Sequence, residues 1–116
     1  MIGAILGDMI GSPYEFDRGN KTKDFPLFSA RSRFTDDTVM TIAVGDAFLD
    51  TPPNADDEWI EQHLVNGLRM WGKKYPRAGY GVRFHLWLQV QKPIPYNSFG
   101  NGSAMRVSSV AWLKDD

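Results

Sequence analysis

The chain has 116 residues, 13 of them Lys or Arg against 14 Asp or Glu, for a formal net charge of −1. That length suits one domain over residues 1–116 with one core, and the neutral balance offers no cationic surface for nucleic-acid phosphates or a membrane. With no cysteine there is neither a disulfide framework nor a thiolate metal site, so a reducing, cytoplasmic setting is expected.

The opening Met1–Ile10 is mostly apolar, but it has no basic lead-in, Asp8 interrupts it, and a bilayer span needs about 20 apolar residues. It is expected to belong to the fold as a helix over about Ile2–Ile10. Gly3, Gly7 and Gly11 recur at four-residue spacing and form one stripe on such a helix. Because glycine costs about 1 kcal/mol of helix stability relative to alanine, the stripe predicts tight helix packing. Residues Ser12–Arg33, rich in Gly, Pro, Asp and Lys, read as a long loop, where functional residues often sit.

A second helix is expected from Thr35 or Asp36 to about Leu49, with Met40, Ala43, Val44, Ala47 and Phe48 on its apolar face and Thr51-Pro52-Pro53 as its stop. A third follows Asn54 as cap, carries Trp59, Ile60, Leu64, Leu68 and Trp71 on one face, and ends at Pro76 and Gly79. In the next segment Val82, Phe84, Leu86, Leu88 and Val90 alternate strictly with Arg83, His85, Trp87 and Gln89, a pattern that taken alone predicts a strand. After the loop Pro93–Gly102, a last helix is expected over Ser103–Lys114.

Three places carry candidate chemistry. Phe34-Thr35-Asp36-Asp37-Thr38 sets two adjacent carboxylates between hydroxyls at a helix start. Capping by Thr35 and complementation of the helix dipole by the aspartates account for such a cluster. So does a hard-ligand site for Mg²⁺ or Mn²⁺, because adjacent side chains can converge where the chain enters a helix. Gly7-Asp8-Met9-Ile10-Gly11-Ser12-Pro13-Tyr14-Glu15 places two acids near a glycine stripe and a turn, either solvated or facing a ligand. Asn97–Arg106 runs from a glycine-bearing loop into a helix, where free backbone N–H groups suit phosphate, although a tight connection uses the same residues.

In this order the three motifs resemble the ADP-ribosylglycohydrolase family, also known for dinitrogenase-reductase activation. The resemblance runs through Gly7 to Glu15, then Thr35 to Thr38, then Gly79-Tyr80-Gly81-Val82-Arg83-Phe84 with Trp87, and Gly100-Asn101-Gly102-Ser103-Ala104-Met105-Arg106-Val107. It implies an all-α domain and turns the expectation for Val82–Val90 from strand to helix. It also implies a cleft with paired divalent ions, usually Mg²⁺, and hydrolysis of the glycosidic bond between ADP-ribose and an acceptor. Thr35, Asp36 and Asp37 then look like metal ligands, with Asp36 and Asp37 catalytic together with Glu15, which approaches the scissile bond. Gly100, Asn101, Gly102 and Ser103 match the loop beside diphosphate and ribose, Tyr80 belongs with the substrate contacts, and Asp8 is better read as a supporting acid. Carboxylates and a divalent ion suit a reaction that builds positive charge at the anomeric carbon. His63 and His85 match no motif and read as ordinary partly buried or surface histidines.

Members of that family are more than twice this length and add an Asp-x-Asp-Thr-type motif in their C-terminal part. The late acids here, Asp115 and Asp116, do not form it, so the resemblance is to the N-terminal part of a longer fold. Retained carboxylates with too little compensating charge hold metal weakly, and hydrolysis by this chain alone is expected to be weak or absent. Two classes of function therefore stay open. One is a glycohydrolase that needs a second half, supplied by a protein partner or by self-association. The other is a non-catalytic short homologue that binds ADP-ribose or a protein partner, such as an inhibitor from a mobile element. Four Trp, four Tyr and seven Phe would give the second class exposed aromatics to bind with.

Overall fold

The computed structural model describes residues 1–17, 19 and 21–113, and among these there are helices and no strand. Five α-helices follow in order: α1 Ile2–Gly11, α2 Asp36–Leu49, α3 Asp57–Lys74, α4 Val82–Gln89 and α5 Gly102–Met105. Short 3₁₀ turns occupy Ser12–Tyr14 and Val110–Trp112.

The centre of the fold is α2, which lies against α3, α1, α5 and the second 3₁₀ turn, while α4 packs on α3. Val39, Met40, Ala43, Val44 and Ala47 are buried along it, and Thr38 and Thr41 are buried with them. Val39 belongs to this seam although the periodic face read from sequence omits it, and Phe48 is only half-buried. Small side chains on α2 let α3 approach, with Leu68, Trp71 and Tyr75 covering Val39, Met40 and Ala43. The indole of Trp71 also donates to Asp46 Oδ2 at 2.8 Å, giving a polar atom inside that contact its partner.

Helix α3 starts two residues later than its sequence suggests. Its cap is Asp56, whose carboxylate accepts the Trp59 N–H at 2.8 Å, and Asn54 stays in the preceding turn. Asp57 and Glu58 in the first turn and Lys73 and Lys74 in the last complement the helix dipole. Trp59 is not on the buried face: it is exposed and stacks on His63, ring centroids 4.5 Å apart.

Residues Val82–Gln89 are helical, and burial explains why their alternation misleads. Phe84, Trp87 and Leu88, at helical spacing, turn toward the core, whereas Val82, Leu86 and Val90 of the alternating set are exposed. Gly72 admits this helix, since a Cβ there would come within 2.8 Å of Leu88 Cδ1. Arg69 closes its end, donating from Nη2 to Val90 O at 2.9 Å and from Nε to Leu88 O at 3.4 Å.

Two other expectations are corrected. The stripe Gly3, Gly7 and Gly11 packs against nothing, because a Cβ at any of the three would meet open space. The last helix is not continuous over Ser103–Lys114. It ends at Met105, and the chain turns so that Ser109 is buried, its Cβ 3.4 Å from where a Cβ on Gly45 would lie. Lys114, Asp115 and Asp116 lie outside the described residues. The chain is elongated, 48 × 33 × 24 Å, with a radius of gyration of 15.6 Å. A compact chain of this length would have about 13 Å.

Candidate functional site

The entry into α2 organises the site. Thr35, extended at φ −124°, caps the helix, its Oγ1 accepting the Asp37 N–H at 3.3 Å. The carboxylate of Asp8, one turn from the end of α1, reaches the same place. Its Oδ1 accepts the Thr35 hydroxyl at 2.6 Å, and its Oδ2 accepts the N–H of Thr35 at 2.7 Å and of Thr38 at 3.2 Å and the Thr38 hydroxyl at 2.5 Å. Asp8 thus satisfies helix-start donors that have no partner within α2. Both of its oxygens are engaged in holding Thr35 and Thr38.

With Asp8 spent on these bonds, Asp36, Asp37 and Glu15 remain. Burial, then Asp37, raise the Asp36 carboxyl to about 6, and burial, then Asp8, raise that of Asp37. Glu15, on the turn after the first 3₁₀ segment, is raised by burial and then by Asp37 and Asp8. The three acids therefore feel one another's charge, although they come from loop and helix 21 or more residues apart. The positive groups that act against this crowding are Arg106, beside Asp36 and Asp37, and Arg33, beside Glu15.

A cleft of about 930 Å³ opens from Asp36. Its walls are Leu68 of α3, Gly81, Val82 to Phe84 and Trp87 of α4, the loop Pro95–Ser103 running into α5, and Met105 and Arg106. Gly100, Asn101, Gly102 and Ser103 are thus brought to the same cavity as Asp36. Side chains hold this loop by its carbonyls: Trp87 Nε1 donates to Ile94 O at 2.9 Å and Arg83 Nη1 to Asn97 O at 2.8 Å. Phe99 stands fully in solvent at the loop's tip.

Tyr80 lies beside the site rather than on the cleft wall. Its ring packs on the core and against Phe84, and its hydroxyl donates to Tyr75 O at 3.0 Å. Burial, then Asp36, push that hydroxyl up to about 12, so it stays protonated. Gly79, at φ +104°, makes the turn that delivers this segment, and a Cβ there would sit 3.6 Å from Asp36 Oδ1.

Arg106 is the site residue that sequence reasoning gave no role. Its guanidinium lies 4.5 Å over the ring of Phe84, its Nε donates to Gly102 O, and it is half-buried next to Asp36 and Asp37. The signal available was its place at the end of the glycine motif, one residue after a buried-type Met. His63 and His85 stay apart from the cluster, the first on Trp59 and the second hydrogen-bonded to Gln89.

Among the described residues no group of three or more His, Cys, Asp and Glu is arranged to hold a metal ion. The residues present nevertheless suit part of the shell of a hard divalent cation. The Thr35 hydroxyl donates to Asp8 and accepts from Asp37 N–H, which leaves it one lone pair. Asp36 and Asp37 are two oxygen donors in one turn whose mutual repulsion a cation would relieve.

No helix among the described residues is long and apolar enough to cross a membrane. A family model described as ADP-ribosylglycohydrolase matches residues 1–116. No curated protein and no solved structure matches the chain.

Proposed function

We propose, from the premise that the chain belongs to the ADP-ribosylglycohydrolase family, that its cleft binds ADP-ribose or an ADP-ribosylated protein for hydrolysis of the glycosidic bond. The observation that carries this reading is the meeting, in one cavity, of Asp36 with the loop Gly100–Ser103. An acidic end and a backbone-rich end suit a ligand with ribose hydroxyls at one side and a diphosphate at the other.

In this reading the loop Gly100, Asn101, Gly102 and Ser103 binds the diphosphate through the N–H groups of Asn101, Gly102 and Ser103, while that of Gly100 donates to Ser98 Oγ at 3.2 Å and shapes the turn; such donors require no cationic surface and so agree with a net charge of −1. Thr35, Asp36 and Asp37 hold Mg²⁺ or Mn²⁺. When bound, the cation supplies positive charge that fixes the ribose hydroxyls and favours attack by water. Glu15 faces the scissile bond from the loop, its carboxyl raised by burial, then by Asp37 and Asp8, which makes it a stronger base than a free carboxylate. Asp8 keeps Thr35 in place beneath the acids. Tyr80 supports the ribose end through its packing beside Asp36.

These 116 residues contain no Asp-x-Asp-Thr-type motif to complete a paired metal shell. By themselves they should therefore release ADP-ribose slowly or not at all. The test measures ADP-ribose released from a modified protein in excess Mg²⁺, by the chain alone and with a C-terminal family segment added. Equal rates would sink the idea that a second set of ligands is needed. No binding of ADP-ribose in either case would sink the functional reading itself.

One observation favours a second reading beside it. Ile2, Leu6, Phe16, Leu49 and Trp112 are exposed, and the shape is extended for the chain length. A protein partner or a second copy covering these faces would bury them without any hydrolysis. Light scattering at rising concentration tests self-association, and a strictly monomeric chain that hydrolyses its substrate would leave this reading without support.

A further inference from the structure

We infer that Arg106 is a positioning residue that fixes the glycine-bearing loop beside the acids, and that its charge limits how tightly those acids hold a cation. The inference rests on the proposed function for the identity of the ligands, but its first half concerns the free protein.

The geometry gives Arg106 two separate duties. Through its flat face it stacks 4.5 Å from the centre of the Phe84 ring, and through Nε it donates to the Gly102 carbonyl. It thereby ties the end of α5 to α4 along the wall of the cleft. The fit is tight, because a Cβ on Gly102 would come within 3.1 Å of Nη2. The other end of the loop is held by Arg83 and Trp87 from α4. Arg106 differs from those two in lying next to Asp36 and Asp37 of α2, with Tyr80 and Tyr96 also facing it. Arg106 lines the same cleft as Asp36, where its positive charge partly offsets the charge of the acids.

Stacking and hydrogen bonding need the guanidinium plane and Nε, whereas partial neutralisation needs only charge, so substitutions separate the two. Arg106→Lys keeps the charge and loses the plane. Arg106→Gln loses both. Phe84→Leu removes the stacking partner and leaves the charge. NMR amide exchange in ligand-free protein reads the loop Asn97–Ser103, with α2 amides as the control for folding, and calorimetry reads Mg²⁺ and ADP-ribose.

All three variants are expected to exchange loop amides about tenfold faster while α2 stays protected, since local opening moves independently of the core. ADP-ribose affinity should fall in each. Mg²⁺ affinity should hold in Arg106→Lys and Phe84→Leu and rise about three- to tenfold in Arg106→Gln, because a like charge has left the site. A merely structural arginine would give the opposite, with Arg106→Gln weakening both ligands together. Loop amides at parental rates in Arg106→Lys and Phe84→Leu would overturn the positioning role, and Mg²⁺ no tighter in Arg106→Gln would overturn the charge limit. If the parent takes up neither Mg²⁺ nor ADP-ribose, the functional reading falls and with it the charge limit, while loop exchange still decides the positioning role.

Discussion

Asp8 and Thr35, 27 residues apart, are joined by two hydrogen bonds, the carboxylate accepting the Thr35 N–H at 2.7 Å and its hydroxyl at 2.6 Å. Because Thr35 is also the cap of α2, this pair welds α1 to the start of the helix that carries Asp36 and Asp37. Removing the carboxylate leaves the N–H groups of Thr35 and Thr38 without that partner in a partly buried place. Asp8→Ala should lose about 3 kcal/mol of stability, as bonds to a charged group contribute more than neutral ones. Asp8→Asn keeps one acceptor and should lose roughly half as much. Urea unfolding checks both, and an Asp8→Ala midpoint equal to the parent's would refute the weld.

The acids next to that cap should act against folding when no metal is present. Asp36 is raised to about 6 by burial and then by Asp37, from 3.8. Between those values the folded protein holds a proton that the unfolded chain has released. Stability is therefore full below the lower value and is lost as pH rises through the upper one. Asp36→Asn should reduce this slope, leaving the part that Asp37 and Glu15 carry, and be more stable at pH 7, by on the order of 1 kcal/mol after allowing for solvent screening of a half-exposed carboxylate. Thermal melts of metal-free protein across this pH range are the measurement. An Asp36→Asn variant with the parent's slope would count against the assigned crowding.

The proposed site for a divalent cation lies where those carboxylates crowd. The double variant Asp36→Ala, Asp37→Ala should lose Mg²⁺ binding by calorimetry, since the Thr35 hydroxyl alone is a poor ligand for a hard ion. Retention of the parent's affinity would place the site elsewhere.

Gly102 should tolerate no branched side chain. A Cβ there presses on Arg106 Nη2 at 3.1 Å, so Gly102→Val displaces the guanidinium as well as narrowing the approach to the loop. ADP-ribose-induced NMR shifts over Gly100–Ser103 should disappear in this variant, and shifts identical to the parent's would contradict the placement of the diphosphate.

What the sequence determined by itself is the chemistry that stays local. Thr35 as a cap, Asp36 and Asp37 in the first turn and the apolar run from Met40 to Ala47 depend on residues within a few positions of one another, and capping and helical periodicity are written at that range. The ordered motifs carried the family and, through it, the helical state of Val82–Gln89. Tertiary structure decided the rest. Alternation along Val82–Val90 is a true period of two, yet burial of Phe84, Trp87 and Leu88 selects the helix, with Gly72 leaving room for Leu88. The glycines of α1 form a real stripe but face open space, and the helix after Gly102 stops early because Ser109 is drawn in beside Gly45. Above all, the four bonds of Asp8 and the place of Arg106 between Phe84, Gly102 and the acids join residues remote in sequence. Such contacts leave no periodic trace in the chain, because the distance that matters to them is set by how helices pack and not by how many residues lie between.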